Sequence, residues 1–237
     1  MPLNAVSLND DIKTNLGDQV LNEVLRNLWP QDCQTCDTPL GKQPPSLCVD
    51  IDPVIPMATL HHAACRTSCW NDRGVLHMAS GLSWRSRMMN WPIEMGDEGS
   101  GPDIWPTLVI NPHLEGVRLR QSAAGAWTVG TMDYGRELGL ATLGPDFVID
   151  RPVRATAGYT PKSLLIGSTV TVTIGLAQQW SWSGANEPQF IAHIKKRGGI
   201  VLGYTTAVHP EHMTSYEDFI QPVVRREIAF GFLPLAA

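Results

Sequence analysis

The chain has 237 residues, of which 43% are hydrophobic and 17% are charged, and it contains 8 tryptophans. This composition excludes a disordered chain, which is poor in aromatic residues, and the length suits one substantial domain with room for a small appendage. The formal net charge of -5 repels polyanions, so we do not expect nucleic acid as the partner.

The N-terminal segment lacks the features of a secretory leader. Residues 1–14 have no basic start followed by an apolar run, and no stretch reaches the roughly 18 apolar residues of a membrane span. Four of the 5 cysteines are grouped as Cys33-x2-Cys36 and Cys65-x3-Cys69, which is unlike a disulfide framework. We therefore expect a soluble, cytoplasmic protein with no membrane association.

The first predicted element is an amphipathic helix over residues 9–28, within an N-terminal segment of residues 1–30. Asn9 is placed to cap the helix, and Pro30 prevents its continuation. The apolar side chains share one helical face: Ile12, Leu16, Val20, Leu21, Val24, Leu25 and Leu28.

Residues 31–72 form a predicted zinc-binding module with short strands at 46–49 and 57–60. Cys33 and Cys36, followed by a Pro-Leu-Gly sequence, have the spacing of a zinc knuckle. His62 and Cys65 are three residues apart, which places them on one face if a helix begins there. These two pairs predict one site with the ligands Cys33, Cys36, His62 and Cys65.

Two neighbours have spacings that also suit a ligand. His61 with Cys65, and Cys65 with Cys69, are four residues apart and would share a helical face. Spacing therefore leaves open whether His61 or Cys69 replaces one of the four named ligands. The alternative without a metal is a set of buried free cysteines, which are common in intracellular proteins.

The order of knuckle, hairpin and helix-borne ligand pair resembles that of treble-clef zinc fingers, over residues 33 to about 70. The resemblance implies three thiolates and one imidazole, with no open coordination position. Such closed sites are structural, whereas a catalytic zinc keeps a water ligand. We therefore expect structural zinc as the cofactor.

The module also resembles HNH nucleases, many of which carry a CxxC knuckle around a ββα unit. That resemblance implies a histidine pair at His61 and His62, with Asn71 and His77 at the later catalytic positions. His62 cannot serve both as a zinc ligand and as a catalytic residue, and the acidic chain lacks a basic run for DNA.

Residues 73–237 are predicted to form an α+β domain, with a subdomain break near residues 144–162, where Pro and Gly are frequent. Thr214 and Glu217 predict a capping box before a helix. The other predicted elements are strands at 105–110, 117–120, 126–129, 168–176, 200–205 and 228–233, a helical turn at 134–140 and a helix at 188–197. The expected fold is α+β, with a mixed, largely antiparallel sheet, a few helices and an N-terminal treble-clef-like module.

These features favour a zinc-stabilised, non-enzymatic interaction protein whose partner is another protein. No catalytic residue is assigned, because the chain has no Gly-x-Ser-x-Gly elbow and no phosphate-binding Gly-rich loop. The alternative is a metal-dependent hydrolase or an HNH-like nuclease. No motif indicates a pathway or an oligomeric state.

Overall fold

A computed structural model describes residues 5–77, 83–93, 103–143, 162–174 and 178–236. The chain divides into two compact units. The first comprises Met1–Arg85, Asn111–Thr131 and Thr206–His209, and the second comprises Ser86–Ile110, Met132–Thr205 and Pro210–Ala237.

The described residues contain four α-helices and strands that pair mostly antiparallel, which confirms the predicted mixed α/β content. The helices are α1 (Asp10–Arg26), α2 (Thr131–Glu137), α3 (Pro188–Arg197) and α4 (Tyr216–Val224). The strands are β1 (Ser46–Asp50), β2 (Met57–His61), β3 (Cys69–Asn71), β4 (Arg85–Ile93), β5 (Asp103–Asn111), β6 (Gly116–Gln121), β7 (Trp127–Val129), β8 (Ala141–Thr142), β9 (Lys162–Ile166), β10 (Thr169–Ile174), β11 (Gln178–Ser183), β12 (Gly199–Tyr204) and β13 (Ala229–Pro234). None of the helices in these ranges is long and apolar enough to cross a bilayer.

Helix α1 supplies the apolar layer of the first unit. The Asn9 side chain accepts a hydrogen bond from the Asp11 backbone N–H, as predicted for the N-cap, and Gly17 interrupts the helix with a φ of 70°. The apolar face packs in a core cluster with one face of the sheet, through side chains that include Ile12, Val24, Leu47, Leu60 and Val117.

The sheet of the first unit has the strand order β3-β1-β2-β6-β7, and all its pairings are antiparallel except that of β1 with β3. Every residue of β1 and β2 is buried, although side chains alternate between the two faces of a strand. The face away from the apolar cluster therefore buries polar side chains, among them Ser46, Asp50, Thr59 and His61.

The second unit contains a five-stranded sheet, β4-β5-β12-β13-β8, and a three-stranded sheet, β11-β10-β9. Strands β5 and β12 pair in parallel. Val170 and Val172 of β10 are buried in the core cluster of this unit, as the alternation of β10 predicts, together with Ile194 of α3 and Leu202 of β12.

Several predicted elements are confirmed within a few residues, and α3 has the predicted ends. Two predictions are wrong in detail. The capping box of α4 is formed by Ser215 and Asp218, not by Thr214 and Glu217, because the Ser215 hydroxyl faces the Asp218 N–H. Helix α2 begins at Thr131, three residues before the predicted turn.

Strands β3, β4, β8 and β9 were not predicted, because their sequences lack a run of alternating apolar residues. Strand β11 was not predicted either, since its alternation is limited to Trp180 and Trp182. Glycine-rich residues 96–101 and most of the predicted break at 144–162 lie outside the described residues. The division into residues 1–30, 31–72 and 73–237 stays a prediction.

Two adjacent glycines after α3 provide a test of backbone and packing constraints. Gly198 caps the helix in the left-handed conformation, with a φ of 67° and open space around it. A Cβ on Gly199 would instead meet the Leu233 carbonyl oxygen and the Phe232 ring. We expect Gly198→Ala to cost about 1 kcal/mol of unfolding free energy and Gly199→Ala to cost about 3 kcal/mol, measured by urea denaturation. Equal losses of unfolding free energy in the two variants would contradict the close packing around Gly199.

Candidate metal centre

The ligand candidates lie on two turns of the first unit. Cys33 and Cys36 belong to a tight knuckle, in which the Cys33 N–H donates to the Thr38 carbonyl oxygen at 2.8 Å and the Asp37 N–H donates to the Cys33 carbonyl oxygen at 2.9 Å. Asp37 has a φ of 61°, a conformation that Asp adopts more readily than most residues. The knuckle thereby reverses the chain and brings the two thiols together.

His62 and Cys65 lie on the turn that follows β2. The N–H groups of Cys65 and Arg66 both donate to the His62 carbonyl oxygen, at 2.9 and 3.0 Å. No helix follows, since residues 63–65 form a turn and the chain continues to β3. The expectation that a helix carries this pair is therefore wrong, but one hydrogen-bonded turn still places both side chains on the same side.

These two turns bring four ligand atoms together. One atom from each of Cys33, Cys36, His62 and Cys65 lies within 4.8 Å of all the others. We refer to these four residues as the metal cluster. It is the one group of at least three His, Cys, Asp or Glu side chains with such spacing in the described part of the chain. The sulfurs of Cys36 and Cys65 lie 3.4 and 3.8 Å from Nδ1 of His62.

The spacing fits a tetrahedral ion. With Zn–S bonds of about 2.3 Å and Zn–N bonds of about 2.1 Å, a sulfur and a nitrogen ligand lie about 3.6 Å apart. The two measured sulfur–nitrogen distances lie on either side of this value. The metal cluster is therefore positioned to bind a metal ion.

The imidazole of His62 is oriented for binding through Nδ1. Its Nε2 lies 3.0 Å from the Pro39 carbonyl oxygen, which can only accept a hydrogen bond. Nε2 therefore carries a proton, and in the neutral ring the lone pair is on Nδ1, which faces the sulfurs of Cys36 and Cys65. A hydrogen bond from the second ring nitrogen to a carbonyl group is a common support for metal-binding histidines.

Backbone N–H groups and a threonine hydroxyl form hydrogen bonds with two of the three sulfurs. The Cys33 sulfur lies 3.4 Å from the Thr35 N–H nitrogen and 3.2 Å from that of His62, and both donate to it. Hydrogen bonds from Thr38 lower the pKa of Cys36 to about 6, whereas a hydrogen bond with Cys36 raises the pKa of Cys65 to about 11. Metal binding displaces the remaining thiol protons, so affinity falls as the pH falls.

A buried carboxylate fixes the knuckle to the rest of the unit. Glu115 accepts hydrogen bonds from the backbone N–H groups of Asp32 and Ser83, each at 3.0 Å, and the Gln34 amide nitrogen lies 3.4 Å from the same carboxylate. Burial raises the pKa of Glu115. The sequence did not single out Glu115, because its partners lie 32 to 83 residues away.

The two alternative ligands lie elsewhere. The His61 ring is buried between the hydroxyls of Thr35 and Thr59, each 2.9 Å from a ring nitrogen, and burial lowers its pKa to about 4. Cys69 lies on β3 opposite Cys48 on β1. Cys48 is buried, and burial raises its pKa to about 12.

Two of the four residues of the nuclease hypothesis, Asn71 and His77, contact a carboxylate that sequence reasoning missed. Asp50 has a fully buried side chain and accepts two hydrogen bonds from the Arg66 guanidinium, at 2.8 and 2.6 Å, and one from the Asn71 amide at 2.7 Å. Nδ1 of His77 lies 3.4 Å from the same carboxylate. Asn71 and His77 thus contact Asp50, while His61 is enclosed by threonines.

No family model, curated protein or solved structure matches this chain. Conclusions about the site therefore depend on the residues of the chain itself.

Cys36→Ala tests the metal cluster. We expect the purified variant to lose its bound metal, and with it a few kcal/mol of folding stability. Its melting temperature should fall by about 10 °C, because each kcal/mol lowers the Tm of a chain of this size by about 2–4 °C. Hydrogen exchange should increase in residues 36–38 and 63–65. Cys69→Ala is the matched control, and it should keep the metal. Equal metal content in the two variants would contradict the assignment.

The Asp50–Arg66 pair predicts acid sensitivity. Burial by itself raises the pKa of Asp50, but the hydrogen bonds from Arg66, Asn71 and the His77 N–H lower it to about 2. Because the folded pKa is below the usual 3.8, the pair stabilises the fold above that pH, and this contribution is lost as the pH falls towards 2.

Asp50→Asn should therefore lose about 3 kcal/mol at neutral pH, because it leaves the Arg66 charge without its partner. The difference in unfolding free energy between this variant and the parent should shrink by about 2 kcal/mol between about pH 5 and about pH 2. Urea unfolding in the Cys36→Ala background removes the pH dependence of metal binding from both proteins. A difference that is constant with pH would contradict the role of Asp50.

Proposed function

We propose that the metal cluster binds one structural zinc ion, and that the chain is a non-enzymatic interaction protein whose partner is another protein. The observation that carries the proposal is the convergence of three sulfurs and one ring nitrogen of His62 within 4.8 Å. Thiolate ligands favour zinc over the hard cations Mg²⁺ and Ca²⁺. Four protein ligands complete a tetrahedral shell, which leaves no position for a reactive water.

The treble-clef-like character of the module remains part of the proposal. The knuckle, the β1–β2 hairpin and the second ligand pair follow in treble-clef order. The turn at residues 63–65 stands where a treble clef begins its helix. The positions of the four ligand atoms support the resemblance to a treble-clef zinc site. The turn at residues 63–65 does not support it, because a treble clef has a helix there.

The exposed face of the three-stranded sheet supports a protein partner. Leu164 and Ile166 of β9 are 40% and 70% exposed, and they pair with Thr171 and Thr169 of β10. Thr171 in turn lies opposite Ser181 of β11, with their hydroxyls 3.0 Å apart. A surface of aliphatic and hydroxyl groups suits another protein better than a polyanion.

The rival proposal, a hydrolase or nuclease, has weaker support. An HNH-type site needs histidine and asparagine side chains that are free to bind a metal ion and a water. His61 is enclosed by two threonines, and Asn71 donates to Asp50. The Asp50 carboxylate is itself paired with Arg66, so its charge is already compensated.

Metal analysis with an activity assay separates the two proposals. Protein purified under reducing conditions should contain about one zinc per chain by elemental analysis. Cobalt substitution should give the strong visible absorption of tetrahedral thiolate ligation. This absorption should weaken in Cys36→Ala, which removes one of the three thiolates, and should be kept in Cys69→Ala. Absence of zinc would contradict the proposal, and Mg²⁺-dependent nuclease activity that Asn71→Ala abolishes would favour the rival.

A further inference from the structure

The four side chains of the metal cluster differ in their exposure to solvent. Cys33 is fully buried and His62 is half-buried, whereas Cys36 and Cys65 are both exposed. An oxidant dissolved in water therefore reaches two of the three sulfurs directly. Accessible thiolates are the ones that oxidise first.

The buried side of the metal cluster, around Cys33, is held in place by hydrogen bonds that need no metal. The Gln34 N–H donates to the Leu60 carbonyl oxygen at 3.0 Å, and the Asp32 N–H donates to Glu115 at 3.0 Å. The Thr35 hydroxyl lies 2.9 Å from Nδ1 of His61. Loss of the ion therefore frees the exposed residues 36–38 and 63–65, while Cys33 and Gln34 at the base of the knuckle stay attached beside β2.

The two exposed sulfurs are close enough to join. Both lie against Nδ1 of His62, at 3.4 and 3.8 Å, and within 4.8 Å of each other. A disulfide needs a sulfur–sulfur distance of about 2.0 Å, so the sulfurs must approach by roughly 3 Å or less. Residues 36–38 and 63–65 are all exposed and can supply this movement without disturbing the core.

We propose that Cys36 and Cys65 are a peroxide-sensitive pair whose oxidation to a disulfide releases the metal, a regulation that rests on the zinc centre proposed above. One thiolate attacks hydrogen peroxide, the O–O bond breaks, and a sulfenic acid forms while the leaving hydroxide takes up a proton to give water. The second thiolate attacks that sulfur, the S–O bond breaks, and a second water leaves after another protonation. In total, two thiolates, one peroxide and two protons give one disulfide and two waters.

Metal release follows because the ion loses two of its four ligands. The remaining pair, Cys33 and His62, does not form a closed tetrahedral shell. A dithiol reductant reverses the oxidation by thiol–disulfide exchange, and the retained knuckle then allows zinc to bind again.

The other two cysteines provide an internal comparison. Cys48 and Cys69 lie opposite each other on the parallel strands β1 and β3, but Cys48 is fully buried and its sulfur donates to the Thr67 carbonyl oxygen at 3.4 Å. An oxidant in solution reaches this pair only through Cys69. We therefore expect the ligand pair to oxidise first.

The experiment treats the zinc-loaded full chain with one to two equivalents of hydrogen peroxide. A chromogenic chelator measures released zinc, and peptide mass spectrometry locates the disulfide. We expect about one zinc released per Cys36–Cys65 disulfide, far-ultraviolet circular dichroism that is largely unchanged, and recovery with dithiothreitol and zinc. Cys69→Ser should behave like the parent.

Three results would overturn this inference while leaving the zinc centre intact. They are retention of zinc after peroxide treatment, release accompanied by a Cys48–Cys69 disulfide, and release that Cys69→Ser prevents. Protein that contains no zinc when purified under reducing conditions would overturn the proposed function and this inference together.

Discussion

The docking of the knuckle beside the end of β2 is the constraint on which the metal cluster depends. One backbone hydrogen bond, from Gln34 to Leu60, sets the knuckle next to the strand that leads into His62. The N–H of Leu60 donates in turn to the carbonyl oxygen of Glu115, just before β6. Knuckle, β2 and β6 thus form one hydrogen-bonded framework, and the ligand atoms extend from its edge.

Polar side chains are buried within this framework and on the neighbouring strand β1. Asp50, Thr59, His61 and Glu115 are all fully buried, and each has hydrogen-bond partners. Buried polar groups of this kind impose one arrangement of their surroundings, because any shift leaves a donor or an acceptor without a partner. The hydrogen bonds therefore position the two turns of the metal cluster without the help of an ion.

The metal cluster combines two ligand candidates held by hydrogen bonds with two that lie on exposed turns. The bonds of Cys33 and His62 to backbone groups hold the inner ligands, and these bonds do not require the ion. The outer ligands, Cys36 and Cys65, lie on exposed turns where solvent has access. In the proposal made above, the ion stabilises the outer turns, while the folded sheet persists without it.

The amino-acid sequence by itself determined the features that depend on short-range spacing. It predicted α1 and its Asn9 cap, helix α3, and the four residues that the structure brings together, because each pattern spans only a few residues. Only the tertiary structure decided between His62 and His61, since the choice depends on which ring the threonines enclose. It also decided that a turn, and not a helix, carries Cys65.

The buried carboxylates Asp50 and Glu115 likewise have partners from 16 to 83 residues away. Pairings at that separation leave no periodic signal in the chain, because they arise from the register of strands in the sheet and not from neighbouring residues.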